Sequence, residues 1–299
     1  MRDMAETTST RSAKSVKRRN RLPRLRPWVQ TLFLSVWLAP ISYVHGIPGC
    51  VLHCYACPLA SFACPIGVAA QFSAMHALPL MVFGAVVLAG SLVGSLVCGW
   101  ACPFGFIQDL LGRIRSVKFR LPAWTGYFRY VVLLVAVVAV PYFWGTGHSL
   151  FICRICPSGA LEGGVGQIIY RAATGQHIYW PSAAKWAILA AFVVAAIVTY
   201  RPWCKVFCPL GGVLALFNRI SVFHMRYESS ACTECNTCRS RCMLGVNVDQ
   251  SANSASCIRC LECTKCGAIQ PAVGFGRRPK DAKDQLDQSR AATPDQKRV

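Results

Sequence analysis

The chain has 299 residues, of which 54% are hydrophobic and only 15% are charged, so its composition excludes an ordinary soluble domain and predicts a membrane protein. Lys and Arg outnumber Asp and Glu by 32 to 12 and are concentrated near the two ends of the chain. Because membrane proteins carry Lys and Arg in their cytoplasmic segments, the formal charge of +20 indicates topology rather than a nucleic-acid partner.

We expect a disordered cytoplasmic arm at residues 1–27, because this segment holds nine Lys or Arg residues and almost no apolar ones. Four apolar runs follow, each near the roughly 20 residues that cross a hydrocarbon layer ~30 Å thick. They predict four transmembrane helices, at Trp28–Val44, Pro79–Val97, Tyr127–Trp144 and Ala183–Tyr200. The first run is interpreted as a signal anchor rather than a cleaved signal peptide, because no A-x-A-like site follows it.

The loops between these runs differ in charge. Residues 45–78 contain no Lys or Arg, whereas residues 101–126 contain four. The positive-inside rule therefore predicts that both termini are cytoplasmic and that residues 45–78 lie on the outer face. We expect a multi-pass protein of a bacterial or archaeal inner (cytoplasmic) membrane, with a second disordered basic segment at residues 276–299.

Each predicted helix is followed by the motif Cys-Pro-x-Gly, which is an internal repeat. The motif begins at Cys64, Cys102, Cys156 and Cys208. The spacing of the cysteines before the motif also recurs in the two halves. Two residues separate the cysteines of the pairs Cys54–Cys57 and Cys153–Cys156. Three residues separate those of the pairs Cys98–Cys102 and Cys204–Cys208. Residues 28–220 are therefore predicted to be a membrane domain of two similar halves, with a site at their interface.

The most specific pattern lies in residues 221–275, which we predict to be a small α+β domain. Its eight cysteines have the short spacing of bacterial two-cluster ferredoxins, where the fourth cysteine of each motif binds the other cluster. That rule predicts two [4Fe-4S] clusters, one bound by Cys232, Cys235, Cys238 and Cys266, the other by Cys257, Cys260, Cys263 and Cys242. Neither fourth cysteine is followed by the usual proline. Structural zinc is the competing interpretation, although it favours two well-separated cysteine pairs.

On the cytoplasmic face, each half contributes two more cysteines, and four thiols are the complement of one cluster. We predict that this cluster is bound by Cys98, Cys102, Cys204 and Cys208. The alternative is that these are simply small, buried membrane residues.

On the outer face, the candidate cluster ligands are Cys54, Cys57, Cys64, Cys153 and Cys156. Repeat symmetry favours all of these except Cys64, which is a rival to Cys54 because its motif carries the glycine that Cys57 lacks. Disulfides stay open as an alternative there, because the outer face is oxidising.

Two histidines, His45 and His148, follow equivalent predicted helices in the two halves. Such residues bind a haem or an outer metal centre or protonate a quinone in some membrane proteins, and elsewhere they are only polar helix ends. Asp109 and Glu162 follow Cys-Pro-x-Gly motifs, and we interpret both as helix-surface charges. The predicted helices have no acidic residue in their interiors, which argues against an ion pump.

These motifs resemble the membrane-bound 4Fe-4S polyferredoxins, which include NapH-like quinol-oxidation proteins of nitrate reductase systems and the C-terminal part of NosR-like regulators. The resemblance is carried by Cys98-Gly-Trp-Ala-Cys-Pro-Phe-Gly, Cys204-Lys-Val-Phe-Cys-Pro-Leu-Gly and the cysteines from Cys232 onward, and it covers about residues 28–269. It implies electron relay between the quinone pool, or an outer-face partner, and ferredoxin-type centres.

We therefore predict an all-α membrane unit of four helices in two repeats, joined to a two-cluster ferredoxin domain, that transfers electrons without substrate chemistry of its own. Because the faces of a membrane lie ~30 Å apart, a quinone or haem is expected between the clusters at the two faces. The expected partners are membrane lipid, the quinone pool and redox proteins. An accessory, regulatory or maturation role for a partner redox enzyme is the alternative, and a zinc- or disulfide-bearing scaffold is a third.

Overall fold

The computed structural model describes residues 22–38, 47–54, 56–58, 60–228, 231–233 and 235–274. The first half of this part is helical, with α1 Leu22–Trp37, α2 Pro65–Ala74, α3 Leu80–Val93, α4 Leu96–Trp100, α5 Pro103–Leu111 and the long helix α6 Trp124–Trp144. The second half has α7 Ile152–Ile155, a π-helical stretch Gly159–Val165 that continues into α8 Gly166–Ala173, α9 Ala183–Val198, a π-helical turn Trp203–Phe207, α10 Pro209–Leu216 and α11 Thr237–Ser240. Strands β1 Phe223–Tyr227 and β2 Ile269–Val273 form an antiparallel pair in which Met225 lies opposite Pro271.

The prediction of four transmembrane helices is wrong for the described part of the chain. Only Trp124–Trp144, with 21 residues, is long and apolar enough to cross a membrane. Helix α3 has 14 residues and α9 has 16, so both are shorter than the roughly 20 residues that a span requires. Helix α1 begins at Leu22, so residues 22–27 are helical rather than part of a disordered arm, and the end of the first predicted span lies outside the described residues.

Backbone conformation explains why α3 and α9 are short. Helix α3 ends at Gly94, whose φ of +53° is a left-handed conformation that glycine adopts without strain. Helix α9 ends at Thr199, which is extended, and Arg201 then takes a φ of +48° immediately before Pro202. A residue that precedes proline is disfavoured in the helical region, so the helix cannot continue here.

Two hydrophobic cores organise the fold. The larger core joins the helices of residues 64–214. Within it, the ring of Phe104 on α5 stacks on the ring of Phe192 on α9, with the two ring centroids 4.9 Å apart. The smaller core lies beneath the β1–β2 pair and includes Met225, Val248 and Ile269. The ferredoxin-like cysteines therefore belong to a unit with a core of its own.

The buried side chain of Arg259 joins the two cores. Its guanidinium donates to the carbonyl oxygens of Val93 (3.0 Å) and Asn218 (2.8 Å) in the helical part. Close approach of the backbone is possible because residue 99 is glycine: a Cβ there would lie 2.4 Å from the Ile258 carbonyl oxygen. The segment around residues 255–260 is therefore packed directly on α4.

Candidate metal centres

The Cys-Pro-x-Gly motif has one local geometry wherever it occurs. Cys64, Cys102 and Cys208 each cap a helix whose first residue is the motif's proline, which has no N–H to leave unpaired. The glycine N–H donates to the sulfur of Cys102 (3.4 Å, from Gly105) and of Cys208 (3.3 Å, from Gly211). Equivalent backbone groups act on Cys64 and Cys156. A thiolate at this position is favoured by the N–H groups and by the helix N-terminus.

The motif's glycine also lets the helix start pack on the preceding cysteine turn. A Cβ at Gly105 would lie 3.0 Å from the carbonyl oxygen of Cys98, and a Cβ at Gly211 would lie 3.4 Å from that of Cys204. The repeat therefore brings both cysteines of each pair to one place, and it does so in both halves of the helical unit.

Four buried cysteines, Cys98, Cys102, Cys204 and Cys208, line a single cavity, and we call them the inner group. They are near enough to one another for their charges to interact. Burial raises the pKa of the Cys102 thiol to about 12 and also raises the pKa of Cys98. Thiolates are therefore stable in this cavity only beside a positive charge, which a bound metal cluster supplies.

Polar side chains surround the inner group. Gln108, which is fully buried, donates from Nε2 to the sulfur of Cys204 at 3.1 Å. The Arg201 guanidinium donates to the carbonyl oxygen of Cys98 at 2.6 Å, and Arg26 Nε donates to that of Gly99 at 3.0 Å. Hydrogen bonds of this kind orient metal ligands and tune the metal they hold.

Asp109 is not the helix-surface charge that the sequence predicted. Its carboxylate forms two hydrogen bonds with Arg201, at 2.6 and 2.7 Å, and it also pairs with Arg26 and with Gln30 Nε2. Burial opposes ionisation of Asp109, but Arg201 outweighs this effect and holds the pKa of the carboxyl below its ordinary value. The sequence did not reveal this burial, because the two arginines that pair with Asp109 lie 83 and 92 residues away in the chain.

A second set of thiols lies around α7 and the start of α2, and we call it the outer group. It consists of Cys54, Cys64, Cys153 and Cys156. Their charges interact with one another, and a Cβ at Gly67 would lie 3.6 Å from the Cys153 sulfur. All 18 cysteines are free thiols. Burial raises the pKa of Cys54 to about 12 and that of Cys153 to about 11.

Cys57, which repeat symmetry had favoured over Cys64, lies beside the start of α8. Its sulfur faces Gly166, where a Cβ would lie 3.6 Å away. Cys54 and its predicted rival Cys64 both belong to the outer group. Cys64 caps α2 through a complete Cys-Pro-x-Gly motif, whereas alanine follows at position 60 after Cys57-Pro58.

Glu162, which the sequence suggested to be a surface charge, and His53, which no pattern singled out, form a buried pair beside the outer group. Glu162 Oε2 accepts hydrogen bonds from the backbone N–H of Cys54 (2.6 Å) and the hydroxyl of Ser158 (3.0 Å). His53, 1% exposed, has Nδ1 3.0 Å from the same oxygen. Glu162 is therefore not a surface charge. Its contacts with His53 and Cys54 span about a hundred residues of chain, so local spacing does not reveal them.

The structure describes one of the two predicted histidines. His45 lies outside the described residues. His148 accepts the N–H of Leu150 at 3.2 Å and packs beside the Trp144 ring at 5.7 Å. Its contacts fit the polar helix end that was the alternative interpretation.

The eight cysteines of the small unit form two further groups. The first ferredoxin group lines one cavity and consists of Cys232, Cys235, Cys238 and Cys266. The second ferredoxin group consists of Cys242, Cys257, Cys260 and Cys263, whose charges interact. Each group therefore takes its fourth cysteine from the other motif, which is the arrangement of the two-cluster pattern.

The four groups form a continuous row. Cys266 of the first ferredoxin group lies near Cys263 of the second, and Cys257 of the second also lines the inner cavity. The Cys102 sulfur of the inner group contacts the Leu52 carbonyl oxygen at 3.8 Å. His53, which follows Leu52, donates its backbone N–H to Cys64 of the outer group, and Cys54 itself belongs to that group. Leu52 and Cys54 are two residues apart, a span of at most about 7 Å. The inner and outer groups are therefore neighbours rather than separated by the expected ~30 Å.

The donor chemistry fits iron–sulfur clusters. Each group brings together four thiols, a set that selects zinc or iron–sulfur centres. Within the described residues, no three His, Cys, Asp or Glu side chains are close enough together to hold one metal ion.

Comparison with known proteins supports the same chemistry. Residues 75–122 and 186–228 match the model of a 4Fe-4S binding domain family, and these segments contain all four cysteines of the inner group. The chain is 26% identical to an uncharacterized protein of Methanocaldococcus jannaschii over 58% of this chain and 69% of that protein. It is 22% identical to the putative electron transport protein YccM of Escherichia coli, over 61% and 51% of the two chains.

A third relative is the regulatory protein NosR of Pseudomonas aeruginosa, which is 26% identical over half of this chain and 20% of its own length. The chain thus spans about half of YccM and a fifth of NosR. No solved structure matches the chain.

Proposed function

We propose that the chain, whose matches support a 4Fe-4S polyferredoxin-like family, is a membrane-bound electron relay that holds four [4Fe-4S] clusters in a row. Each cysteine group has four thiols, the complement of one cluster. One observation carries the proposal: of the 18 cysteines, only Cys153 and Cys235 are exposed, and they belong to the outer group and the first ferredoxin group. The two ends of the row are therefore open to partners, while the ligands between them are buried or half-buried.

When bound, such clusters exchange single electrons, at potentials set by charge, burial and hydrogen bonds to the sulfurs. The chain's own residues provide these conditions. Burial of the inner group excludes water, the N–H groups of Gly105 and Gly211 stabilise thiolates, and Gln108 holds the Cys204 sulfur.

We assign the quinone pool or an outer redox protein to the end of the row at Cys153, and a second redox protein to the end at Cys235. The first ferredoxin group is the more accessible of the two ferredoxin groups, and hydrogen bonds from Thr237 lower the pKa of Cys235 to about 7. The inner and outer groups already contact the same short segment, so the relay needs no haem or quinone between them.

Exposed apolar side chains support a location at a membrane. Helix α6 presents Leu134 and Phe143 with 64% and 71% exposure, and Trp124 and Trp144 lie exposed at its two ends. Aromatic residues at both ends of an apolar helix are typical of the membrane–water interface. Helix α3 also presents exposed apolar side chains, including Leu80, Phe83 and Leu88. The bacterial or archaeal cytoplasmic membrane, with the basic ends of the chain inside, is the location that this charge pattern favours.

The test is an iron and acid-labile sulfide count on the anaerobically purified chain, with low-temperature EPR during stepwise reduction. We expect about sixteen irons per chain, because four groups each bind about four. A Cys50→Ser variant is the control, since Cys50 belongs to none of the groups and its thiol contacts the Ala85 carbonyl oxygen. About twelve irons would contradict the four-cluster row, and iron near zero would contradict electron transfer itself.

A second candidate function is a regulatory role, which the name of the regulatory protein NosR indicates for that relative. The two functions differ in kinetics, since a relay must exchange electrons with its donor at the rate of turnover. Rapid reduction of the clusters by a quinol analogue in stopped-flow measurements would support the relay. Clusters that a quinol analogue reduces only over minutes would support regulation.

A further inference from the structure

We propose that the buried network of Arg26, Asp109 and Arg201 is a positioning device that raises the reduction potential at the inner group above that at the outer group. The inference rests on the proposed function, because it concerns the cluster that the inner group is proposed to hold. It adds a purpose for three charged residues that bind no cluster themselves.

The network is in contact with the backbone that carries the inner cysteines. Arg201, 3% exposed, donates to the carbonyl oxygen of Cys98, and Arg26, 6% exposed, donates to that of Gly99. Buried Gln30 donates to the Gly99 oxygen as well, at 3.0 Å. Two consecutive carbonyl groups of the turn that leads to Cys102 are therefore fixed by side chains from distant parts of the chain.

The local structure is shaped to admit these side chains. Arg201 has the left-handed φ of +48°, a conformation that is uncommon for a residue other than glycine. Its guanidinium lies so near the motif that a Cβ at Gly105 would be 3.1 Å from Nη1. Strain at a residue buried beside a site is a reason to look for a function there.

The charges do not cancel, since two guanidinium groups face one carboxylate. Arg201 interacts electrostatically with Cys98, Cys102 and Cys204. Arg26 and Arg201 also act on Cys260, so the network lies between the inner group and the second ferredoxin group. A net positive charge in a buried site favours the more reduced, more negative state of a neighbouring cluster.

The outer group has the opposite surroundings. The carboxylate of Glu162 lies against Cys54 and acts electrostatically on both Cys54 and Cys64. A cation, Lys185, also acts on the group, through Cys153. A buried negative charge disfavours the reduced state, so the two groups are expected to differ in potential although the same motif builds both.

The test is an EPR-monitored redox titration of the full chain, with dithionite as the reductant and a one-electron change at each cluster. Signals are assigned by their loss in Cys102→Ser for the inner group and in Cys64→Ser for the outer group. We expect Arg26→Gln to shift the inner-group midpoint to a lower potential and Asp109→Asn to shift it to a higher one. The outer-group midpoint should stay in place in both variants.

The opposite signs separate electrostatic tuning from simple structural damage, which would move both variants the same way or lower their iron content. Arg26→Lys keeps the charge and should keep the midpoint, and Arg171→Gln is a surface control. If Asp109→Asn does not retain its iron, the comparison of Arg26→Gln with Arg26→Lys decides alone. Equal midpoints in that pair, at full iron content, would overturn the inference while leaving the relay intact. Absence of an inner-group signal in the unmodified chain would instead refute the proposed function.

Discussion

The inner and outer groups are built from the same repeated motif but have different surroundings. Both use cysteines at the starts of helices in repeated Cys-Pro-x-Gly motifs, yet the inner group is fully buried among arginines and the outer group lies beside Glu162 with Cys153 exposed. The repeat accounts for where the sulfurs are, while the properties of each site depend on residues outside the motif. Two sites of the same ligand type can therefore perform different steps in one relay.

The largest expected effect is the loss of a whole cluster from the inner group. We expect Cys102→Ser to remove about four irons per chain, since Cys102 is one of the four thiols of the inner group and the other cysteine that lines the cavity, Cys257, belongs to the second ferredoxin group. Iron and sulfide analysis measures the effect, with Cys50→Ser as the matched control. Retention of all the iron in Cys102→Ser would remove the inner group from the proposal.

The outer group offers a choice between two cysteines that lie seven residues apart. We expect Cys64→Ser to lose the outer cluster's iron and EPR signal, and Cys57→Ser to keep both, because the Cys64 thiol interacts with Cys54, Cys153 and Cys156, whereas the Cys57 sulfur faces Gly166. The same assays decide the point. The reverse result would show that repeat symmetry, not the observed packing, identifies the ligands.

A smaller effect is expected where the small unit docks on α4. We expect Gly99→Ala to lower the free energy of unfolding by about 1–3 kcal/mol, because its Cβ would meet the Ile258 carbonyl oxygen at 2.4 Å. Gly84→Ala, whose Cβ has nothing within 4 Å, should raise stability by up to about 1 kcal/mol through helix propensity. Thermal unfolding in detergent and hydrogen exchange at residues 255–260 compare the two variants. An equal change in unfolding temperature for Gly99→Ala and Gly84→Ala would contradict the docking contact.

The smallest expected effect is a change of potential without a change of iron content. Glu162→Gln removes the negative charge beside Cys54 but keeps an acceptor for its N–H, so we expect the outer-group midpoint to rise and the inner-group midpoint to stay unchanged. Redox titration provides the measurement. A shift of both midpoints would mean that the charge acts over the whole row.

The sequence predicted what depends on local spacing and missed what depends on distant contacts. Cysteine sets and the internal repeat could be found because the relevant residues lie within a few positions of one another. Helix lengths were overestimated, since hydropathy does not register the left-handed Gly94 or the break at Arg201 and Pro202. The partners of Asp109, Glu162 and His53 come from segments far along the chain, so no pattern near these residues indicated that they are buried.

The wall of the inner cavity also implies an order of assembly. Ala255, Cys257 and Ile258 close this cavity, although its four thiols belong to residues made much earlier during synthesis. Until the ribosome has released residues 255–258, the inner thiols stay accessible to whatever delivers iron and sulfide. Once Arg259 has locked this segment against α3, a chelator reaches the inner site only after the segment undocks. Biogenesis of the protein is therefore expected to load the inner site before the last part of the fold seals it.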